Sequence, residues 1–237
     1  MATQGEKALA LLREPGVLTD ELRRELIELL LAPPQERRMS YEAFLEWADE
    51  DTLAEWVDGK VITYSPASKR HQEIADFLLV LTRLFVEHRD LGVVLSAPFQ
   101  MKLSRSGREP DLIFVAKDHL DRLKTTYLDG PADLAVEIVS PESVGRDRGE
   151  KFYEYEEAGI PEYWLIDPLT ERAEFYRLDD RGRYRLVPPD AEGVYRSAIL
   201  TGFWLKVAWL WHPPPVIEAL TALGLLGSAP DSHPEGG

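Results

Sequence analysis

The spacing of apolar residues changes several times along the chain, and each change predicts a different element. Leucines recur near helical spacing in residues 1–31, which predicts a helical extension, and Pro33-Pro34 indicates a linker after it. Ser40 precedes a short amphipathic run and is typical of a helix N-cap. Residues 68–89 place apolar side chains on one broad face, which predicts a long helix.

Shorter apolar runs in the rest of the chain predict strands. The turn signal Asp58-Gly59 joins two such runs and predicts a hairpin. Four further strand-like runs lie at residues 92–103, 111–116, 133–140 and 163–167. A helix over residues 147–158, ended by Gly159, separates the last two runs. This order predicts an α/β fold in which helices flank a mixed sheet.

The same segments predict the domain organisation. Residues 1–34 form the predicted N-terminal helical extension and linker, and residues 35–212 form one α/β domain. Residues 213–237 are predicted to add a short helix and a disordered tail, because the tail has no core-forming pattern. A length of 237 residues, 44% of them hydrophobic, fits one large domain with extensions.

Composition indicates where the protein works. The chain has no cysteine, which excludes disulfides and thiolate metal sites and fits a reducing compartment. The N-terminus lacks the apolar core of a signal peptide, and no apolar stretch reaches the ~20 residues that span a bilayer. These features predict a cytoplasmic protein without a membrane segment.

The net charge of −15 argues against a nucleic-acid partner, because phosphate binding requires clustered Lys and Arg. However, residues 61–151 contain 13 of the 27 basic residues and 14 of the 42 acidic ones, so this segment is nearly neutral. A nucleic-acid site would require its basic side chains to surround the catalytic pocket. The residues concerned are Lys69, Arg70, Arg105, Arg108, Arg146 and Arg148.

Three ionisable residues stand where a structural domain rarely places them. Asp111 opens an apolar strand, and Glu137 lies in the middle of another, where an unpaired carboxylate costs several kcal/mol. Lys151 follows in the first turns of the next helix. Two carboxylates on neighbouring strands can hold Mg²⁺ or Mn²⁺, and an ammonium can stabilise charge on a phosphate. Each residue also has a structural interpretation: a turn cap, a buried ion pair and a solvated helix surface, respectively.

The chain resembles the Uma-two family of restriction-endonuclease-like proteins, a branch of the PD-(D/E)XK nuclease superfamily. The resemblance covers about two thirds of the chain. It rests on EWVDGKV (55–61), SPASKRHQEIADFL (65–78), EPDLIFV (109–115), DLAVEIVSPES (133–143), DRGEKFYEYEEAGIPEYWLIDP (147–168) and AEFYRL (173–178). It implies the superfamily's core sheet, a metal-dependent nuclease acting on DNA, Asp111 as the PD aspartate and Glu137 as the motif's second acid.

One position departs from the superfamily pattern. The lysine normally stands two residues after the second acid, but here that position is Val139. The resemblance implies that Lys151 replaces it from the helix, and that Glu55 adds a third acid to the metal. We expect the Lys151 ammonium to point toward Glu137, although Asp147, one turn earlier, offers a competing surface ion pair.

Other residues and functions remain open from the sequence. His71 and Gln100 are weaker site candidates, and Tyr155 is interpreted as core packing. The leading hypothesis is a Mg²⁺-dependent deoxyribonuclease that works as a homo-oligomer, most simply a dimer, because enzymes that cut both strands are often two-fold symmetric. The alternative is an endonuclease fold that has lost its activity and serves in binding or oligomerisation.

Overall fold

The computed structural model describes residues 38–48, 54–63, 67–140, 143 and 145–226. The helices are α1 (Tyr41–Trp47), α2 (Lys69–Arg89), α3 (Lys151–Ala158), α4 (Ala208–Trp211) and α5 (Val216–Ala222), with a 3-10 turn at Lys117–Arg122 and a π turn at Arg146–Glu150. The described residues from Met39 onward form one compact unit. The predicted extension over residues 1–34 and the tail after residue 226 lie outside the described residues.

Thirteen strands occur in this part of the chain. They are β1 (Ala54–Val57), β2 (Lys60–Thr63), β3 (Gly92–Ser96), β4 (Gln100–Lys102), β5 (Ser106–Arg108), β6 (Leu112–Ala116), β7 (Tyr127–Asp129), β8 (Leu134–Ile138), β9 (Glu162–Asp167), β10 (Arg172–Leu178), β11 (Tyr184–Leu186), β12 (Val194–Arg196) and β13 (Trp204–Lys206).

The main sheet has six strands in the order β11-β10-β9-β8-β6-β3. Strands β8 and β9 are parallel, because α3 connects them as a crossover, and the other neighbours are antiparallel. Helix α2 packs on one face of the sheet. Tyr155 of α3 lies buried against the other. The predicted α/β fold with a mixed sheet flanked by helices is confirmed.

A second sheet corrects one sequence-based element. Residues 92–103 were expected to form a single long strand. Instead the chain breaks at Pro98 into β3, which joins the main sheet, and β4, which joins a five-stranded sheet in the order β2-β1-β5-β4-β7. Proline has no N–H to give to a ladder, so a break there is expected. The predicted turn at Asp58-Gly59 is confirmed, since both residues have positive φ.

Helix α2 supplies most of the core on its side of the main sheet. Ser68 caps it, because its side chain accepts a hydrogen bond from the His71 N–H, and Asp90 ends it in the left-handed conformation. Its apolar face, including Leu78 and Phe85, is fully buried against the sheet. The first turn of this helix lies close to the start of β6.

The C-terminal elements complete the same core. Strands β12 and β13 pair with each other, and α5 packs against α2 through Ala219 and Leu220. The short helix predicted after residue 213 is thus part of the folded core. Among the described residues, no helix is both long and apolar enough to cross a membrane.

Candidate active site

The two carboxylates named by the sequence lie side by side at the junction of β6 and β8. Leu112 pairs with Val136, so Asp111 stands opposite Glu137, and strand alternation sends both side chains to the α3 face. The Asp111 carboxylate accepts a hydrogen bond of 2.6 Å from the Ile138 N–H, which fixes its orientation. The expectation of adjacent strands and a shared face is confirmed.

Lys151 reaches these carboxylates from the start of α3. Its Nζ lies 2.9 Å from Glu137 Oε2, 3.0 Å from Glu55 Oε1 and 3.4 Å from Asp147 Oδ1. The side chain is almost fully buried. The expected direction of the ammonium is confirmed, and it lies at the centre of a group of acids.

Asp147 and Tyr155 belong to the site as well, although the sequence predicted only a surface ion pair for the first and core packing for the second. Asp147 is only 1% exposed, so the surface ion pair considered for it is wrong. Tyr155 is buried as expected, and it also donates a hydrogen bond of 2.6 Å to Glu137 Oε1. Asp147, Lys151 and Tyr155 are spaced by four residues, and this helical spacing is the signal that could have grouped them.

Glu55 enters from β1 of the second sheet and has several donors. Its carboxylate accepts hydrogen bonds from Arg108 Nη1 at 3.0 Å and from the Glu109 N–H at 3.1 Å, besides contacting Lys151. Glu55 is fully buried. These contacts hold the lysine from the side opposite Glu137, and a role for Glu55 as a metal ligand stays a prediction.

The sequence suggested that Arg108 lies at the mouth of the pocket, but its side chain is buried instead. It is 1% exposed and links Glu55 to Glu154, whose carboxylate lies 2.8 Å from the guanidinium. Its place on β5 in the second sheet explains the burial, because this sheet packs behind the acids. Arg108 is therefore part of the support of the site.

His71 and Gln100 differ in their relation to the site. His71 Nε2 lies 3.2 Å from Asp111 Oδ1, because the first turn of α2 faces the start of β6. Gln100 Nε2 donates to Glu109 Oε1 at 2.5 Å and to the Ala54 carbonyl at 3.1 Å. His71 thus contacts a central carboxylate, whereas Gln100 reaches the site through Glu109.

Burial sets the protonation behaviour of several of these groups. It raises the pKa of Glu137 well above its usual value, and the Lys151 charge opposes this shift only in part. Burial also raises the pKa of Glu109 to about 7. For His71, burial alone would lower the pKa, but the hydrogen bond and charge of Asp111 outweigh it and raise the pKa.

The donor atoms at this junction are of the kind that hard divalent cations prefer. All the acidic donors are oxygens, and one buried oxygen, Asp147 Oδ1, has no hydrogen-bond partner among the described residues. Across the same part of the chain, no three acidic or histidine side chains form a metal-binding group by themselves. A cation held by Asp111 and Glu137 would complete its coordination with water and phosphate oxygens, as Mg²⁺ commonly does.

Four of the other basic residues proposed for the pocket mouth have acidic partners, and one of these pairs joins Arg70 to Glu171 at 3.7 Å. Arg105 binds Asp58, and Arg148 binds Glu174 and Asp167. Lys69 pairs with Glu73, which is exposed like the lysine itself. These charges are locally balanced, so the positive surface that a nucleic-acid site requires is weaker than a count of basic residues suggests.

Comparisons with known proteins agree with this architecture. The profile of the Uma2 family, described as "Putative restriction endonuclease", matches residues 41–208. The chain is 27% identical over 156 residues to the uncharacterized protein slr1290 of Synechocystis sp. (strain ATCC 27184 / PCC 6803 / Kazusa). The matched region covers 63% of this chain and 80% of that protein.

A solved structure shares the fold. It is the crystal structure of "a putative nuclease belonging to DUF820" from Anabaena variabilis ATCC 29413, with a TM-score of 0.63 and 17% sequence identity. The similarity covers 73% of this chain and 98% of that one. At this level of identity the similarity shows the fold, which is of the restriction-endonuclease type.

Proposed function

The chain belongs to the Uma2 family, and on that premise we propose that it is a divalent-metal-dependent endonuclease that hydrolyses phosphodiester bonds of DNA. The observation that carries the proposal is the meeting of Asp111, Glu137 and Lys151 at the junction of β6 and β8, with a contact of 2.9 Å between the last two. Buried ionisable groups of both signs are costly to fold, and active sites are where such groups cluster.

Asp111 and Glu137 would hold the cation, Mg²⁺ or Mn²⁺. When bound, the cation would stabilise negative charge on the scissile phosphate and favour ionisation of a water molecule. Asp111 is suited to this role because it is the more open of the two, with 19% of its side chain exposed. The Ile138 N–H and His71 hold its two oxygens in place.

Lys151 would act on the phosphate rather than on the metal. An ammonium beside the scissile group can donate a hydrogen bond to a non-bridging oxygen as negative charge develops there. Glu137 and Glu55 keep Nζ in position, and the Tyr155 hydroxyl fixes the rotamer of Glu137. The low exposure of these groups keeps water from screening them, which strengthens each contact.

Cation binding tests the assignment of the ligands. Calorimetric titration of the full chain with MgCl₂ and MnCl₂ should give saturable binding that Asp111→Ala weakens by at least tenfold. Lys151→Ala should bind the cation nearly as well as wild type does but cleave plasmid DNA slower by orders of magnitude. Glu156→Gln is a matched control, since Glu156 is a buried carboxylate of α3 that pairs with Arg183 away from the site. Equal binding by wild type and Asp111→Ala would refute the cation site.

The charge distribution favours a second candidate, an endonuclease fold used only for binding or oligomerisation. Its support is the net charge of −15 together with the acidic partners of Arg105 and Arg148. The two functions differ in a simple assay. Cleavage of plasmid DNA that needs Mg²⁺ and is lost in Asp111→Ala supports the nuclease, whereas an inactive protein that still forms a dimer in sedimentation supports the binding module.

A further inference from the structure

Four carboxylates lie at this junction, those of Glu55, Asp111, Glu137 and Asp147, and all but Asp111 contact the Lys151 ammonium. One of the four differs from the rest. Both oxygens of Glu55, of Asp111 and of Glu137 have a donor or a cation within 3.2 Å. Asp147 Oδ1 has no hydrogen-bond partner among the described residues, and its contact with Lys151, at 3.4 Å, lacks hydrogen-bond geometry. The difference singles out Asp147 as the acid with an unused acceptor.

An unused acceptor at this depth needs a physical explanation. Asp147 is 1% exposed, and a buried polar atom without a partner costs about 1–3 kcal/mol. Burial raises the pKa of its carboxyl group, and the Lys151 charge and a hydrogen bond from Ser143 offset this in part. Native proteins retain such atoms mainly where a water, an ion or a reacting group will use them.

The backbone around Asp147 is built to hold this oxygen in place. Residues Arg146–Glu150 form a π turn, a rare conformation that is frequent at functional sites. The turn leads directly into α3, so that Asp147 and Lys151 share one face. The Asp147 carbonyl also accepts a hydrogen bond of 3.1 Å from the buried Tyr163 hydroxyl. The backbone of Asp147 is thus held in place, and its Oδ1 lies 3.4 Å from the ammonium.

We propose that Asp147 is a further residue of the reaction, the acceptor for the water that attacks the phosphate. The assignment rests on the proposed function. The water oxygen forms the new bond to phosphorus while one of its protons passes to Asp147 Oδ1. The bond between phosphorus and the 3′ oxygen breaks, and its electron pair leaves with that oxygen, which takes a proton from solvent. Asp147 then returns its proton to solvent, so that one water is consumed for each bond cleaved.

The same geometry explains why Lys151 and Asp147 occur together. The ammonium contacts Glu137 and Asp147 at once, so it lies next to both the proposed cation ligand and the proposed acceptor for the water. A water beside the pair, not between them, would donate a hydrogen bond to Oδ1 and accept one from Nζ, because a buried water typically makes about three hydrogen bonds. The replacement Asp147→Asn keeps the shape of the side chain and removes its ability to take a proton.

The test compares wild type, Asp147→Asn and the control Glu156→Gln in the full chain. Three measurements are made: Mn²⁺ affinity by calorimetry, kcat and KM for cleavage of a DNA duplex in Mg²⁺, and the melting temperature. We expect Asp147→Asn to lower kcat by a factor of about 10² to 10⁴. We expect its KM and Mn²⁺ affinity to stay within threefold of wild type and its melting temperature not to fall. Glu156→Gln should cleave at the wild-type rate.

The outcomes separate this inference from the proposed function. If wild type cleaves and Asp147→Asn cleaves equally well, the Asp147 assignment is wrong and the nuclease assignment stands. If Asp147→Asn loses Mn²⁺ affinity tenfold or more, Asp147 is a metal ligand and not the acceptor for water. If wild type does not cleave DNA at all, the proposed function fails and the assignment fails with it. A high-resolution crystal structure adds a reading independent of activity, because a water on Oδ1 supports the proposal and a protein donor there overturns it.

Discussion

Replacing Lys151 with methionine measures how much the buried acids depend on one cation. Methionine keeps the length and apolar stem of lysine but removes the charge. In the native protein the ammonium lies within 3.4 Å of Glu137, Glu55 and Asp147. After the change, the lysine charge that offsets the repulsion among these three carboxylates is absent.

The expected loss of stability is large for a single substitution. Removing one partner of a buried ion pair costs about 3–5 kcal/mol, because the other charge is left uncompensated. For a protein of this size each kcal/mol shifts the melting temperature by about 2–4 °C, so the shift should be about 6–20 °C at pH 7. Lys69→Met is the matched control, since Lys69 forms an exposed pair with Glu73 four residues away and its loss should be barely measurable.

The pKa of Glu137 determines how the stability difference between the variant and wild type changes with pH. Burial raises the pKa of Glu137, and the Lys151 charge is the main influence that lowers it, so the pKa should rise further in the variant. An acid with a raised folded pKa binds protons in the folded state that the unfolded state has released, so stability falls as pH rises above the unfolded value near 4.5. The difference between Lys151→Met and wild type should therefore shrink between pH 7 and pH 5.

Urea unfolding at pH 5 and pH 7 checks both expectations. Adding Glu137→Gln to Lys151→Met should recover part of the loss, with a coupling energy of about 0.5–3 kcal/mol between the two changes. A Lys151→Met protein as stable as wild type at pH 7 would contradict the dependence of these acids on the lysine. A stability gap of the same size at both pH values would contradict it equally.

Three further outcomes follow from the structure. Glu109→Gln should stabilise the protein at pH 8 and not at pH 5. Because the pKa of Glu109 is raised to about 7, wild type loses stability as pH rises from about 4.5 to 7. Melting experiments at both pH values should show a gain of about 1–2 kcal/mol at pH 8. Glu162→Ala should lower the free energy of unfolding in urea by about 3–5 kcal/mol. The fully buried Glu162 carboxylate accepts hydrogen bonds from two side chains and two backbone amides, all of which would lose their acceptor. Near-wild-type stability would contradict that role. EDTA should abolish the cation-dependent rise in melting temperature of wild type and leave Asp111→Ala unchanged, whereas an equal effect on both proteins would remove Asp111 from the cation site.

The central carboxylates were predictable from the sequence because strand geometry is local. A period of two residues decides which face a side chain takes, and the register of β6 with β8 then places Asp111 opposite Glu137. The direction of Lys151 followed from the same reasoning, since the buried acids attract an ammonium more strongly than an exposed neighbour does. These conclusions needed the identity of two strands and one helix.

The supporting residues were not predictable, because their burial depends on contacts distant in sequence. Arg108 lies in a segment, SRSGRE, whose composition predicts an exposed turn, and it is buried because β5 pairs with β1 and β4 of the second sheet. That sheet exists because the chain leaves the main sheet at Pro98. Asp147 fits equally well on a solvated helix face, and the π turn that directs it inward has no simple pattern in the sequence.

The position of the lysine shows how the fold compensates for a change in its motif. Val139, at the position where the superfamily pattern has lysine, is buried in the core between β8 and α3 and fills space that an ammonium could not occupy without a partner. Supplying the charge from α3 places it on one helical face with Asp147, four residues before it, and Tyr155, four residues after it. One helical face thus carries an acid, a cation and a hydroxyl donor, all facing the carboxylate on β8.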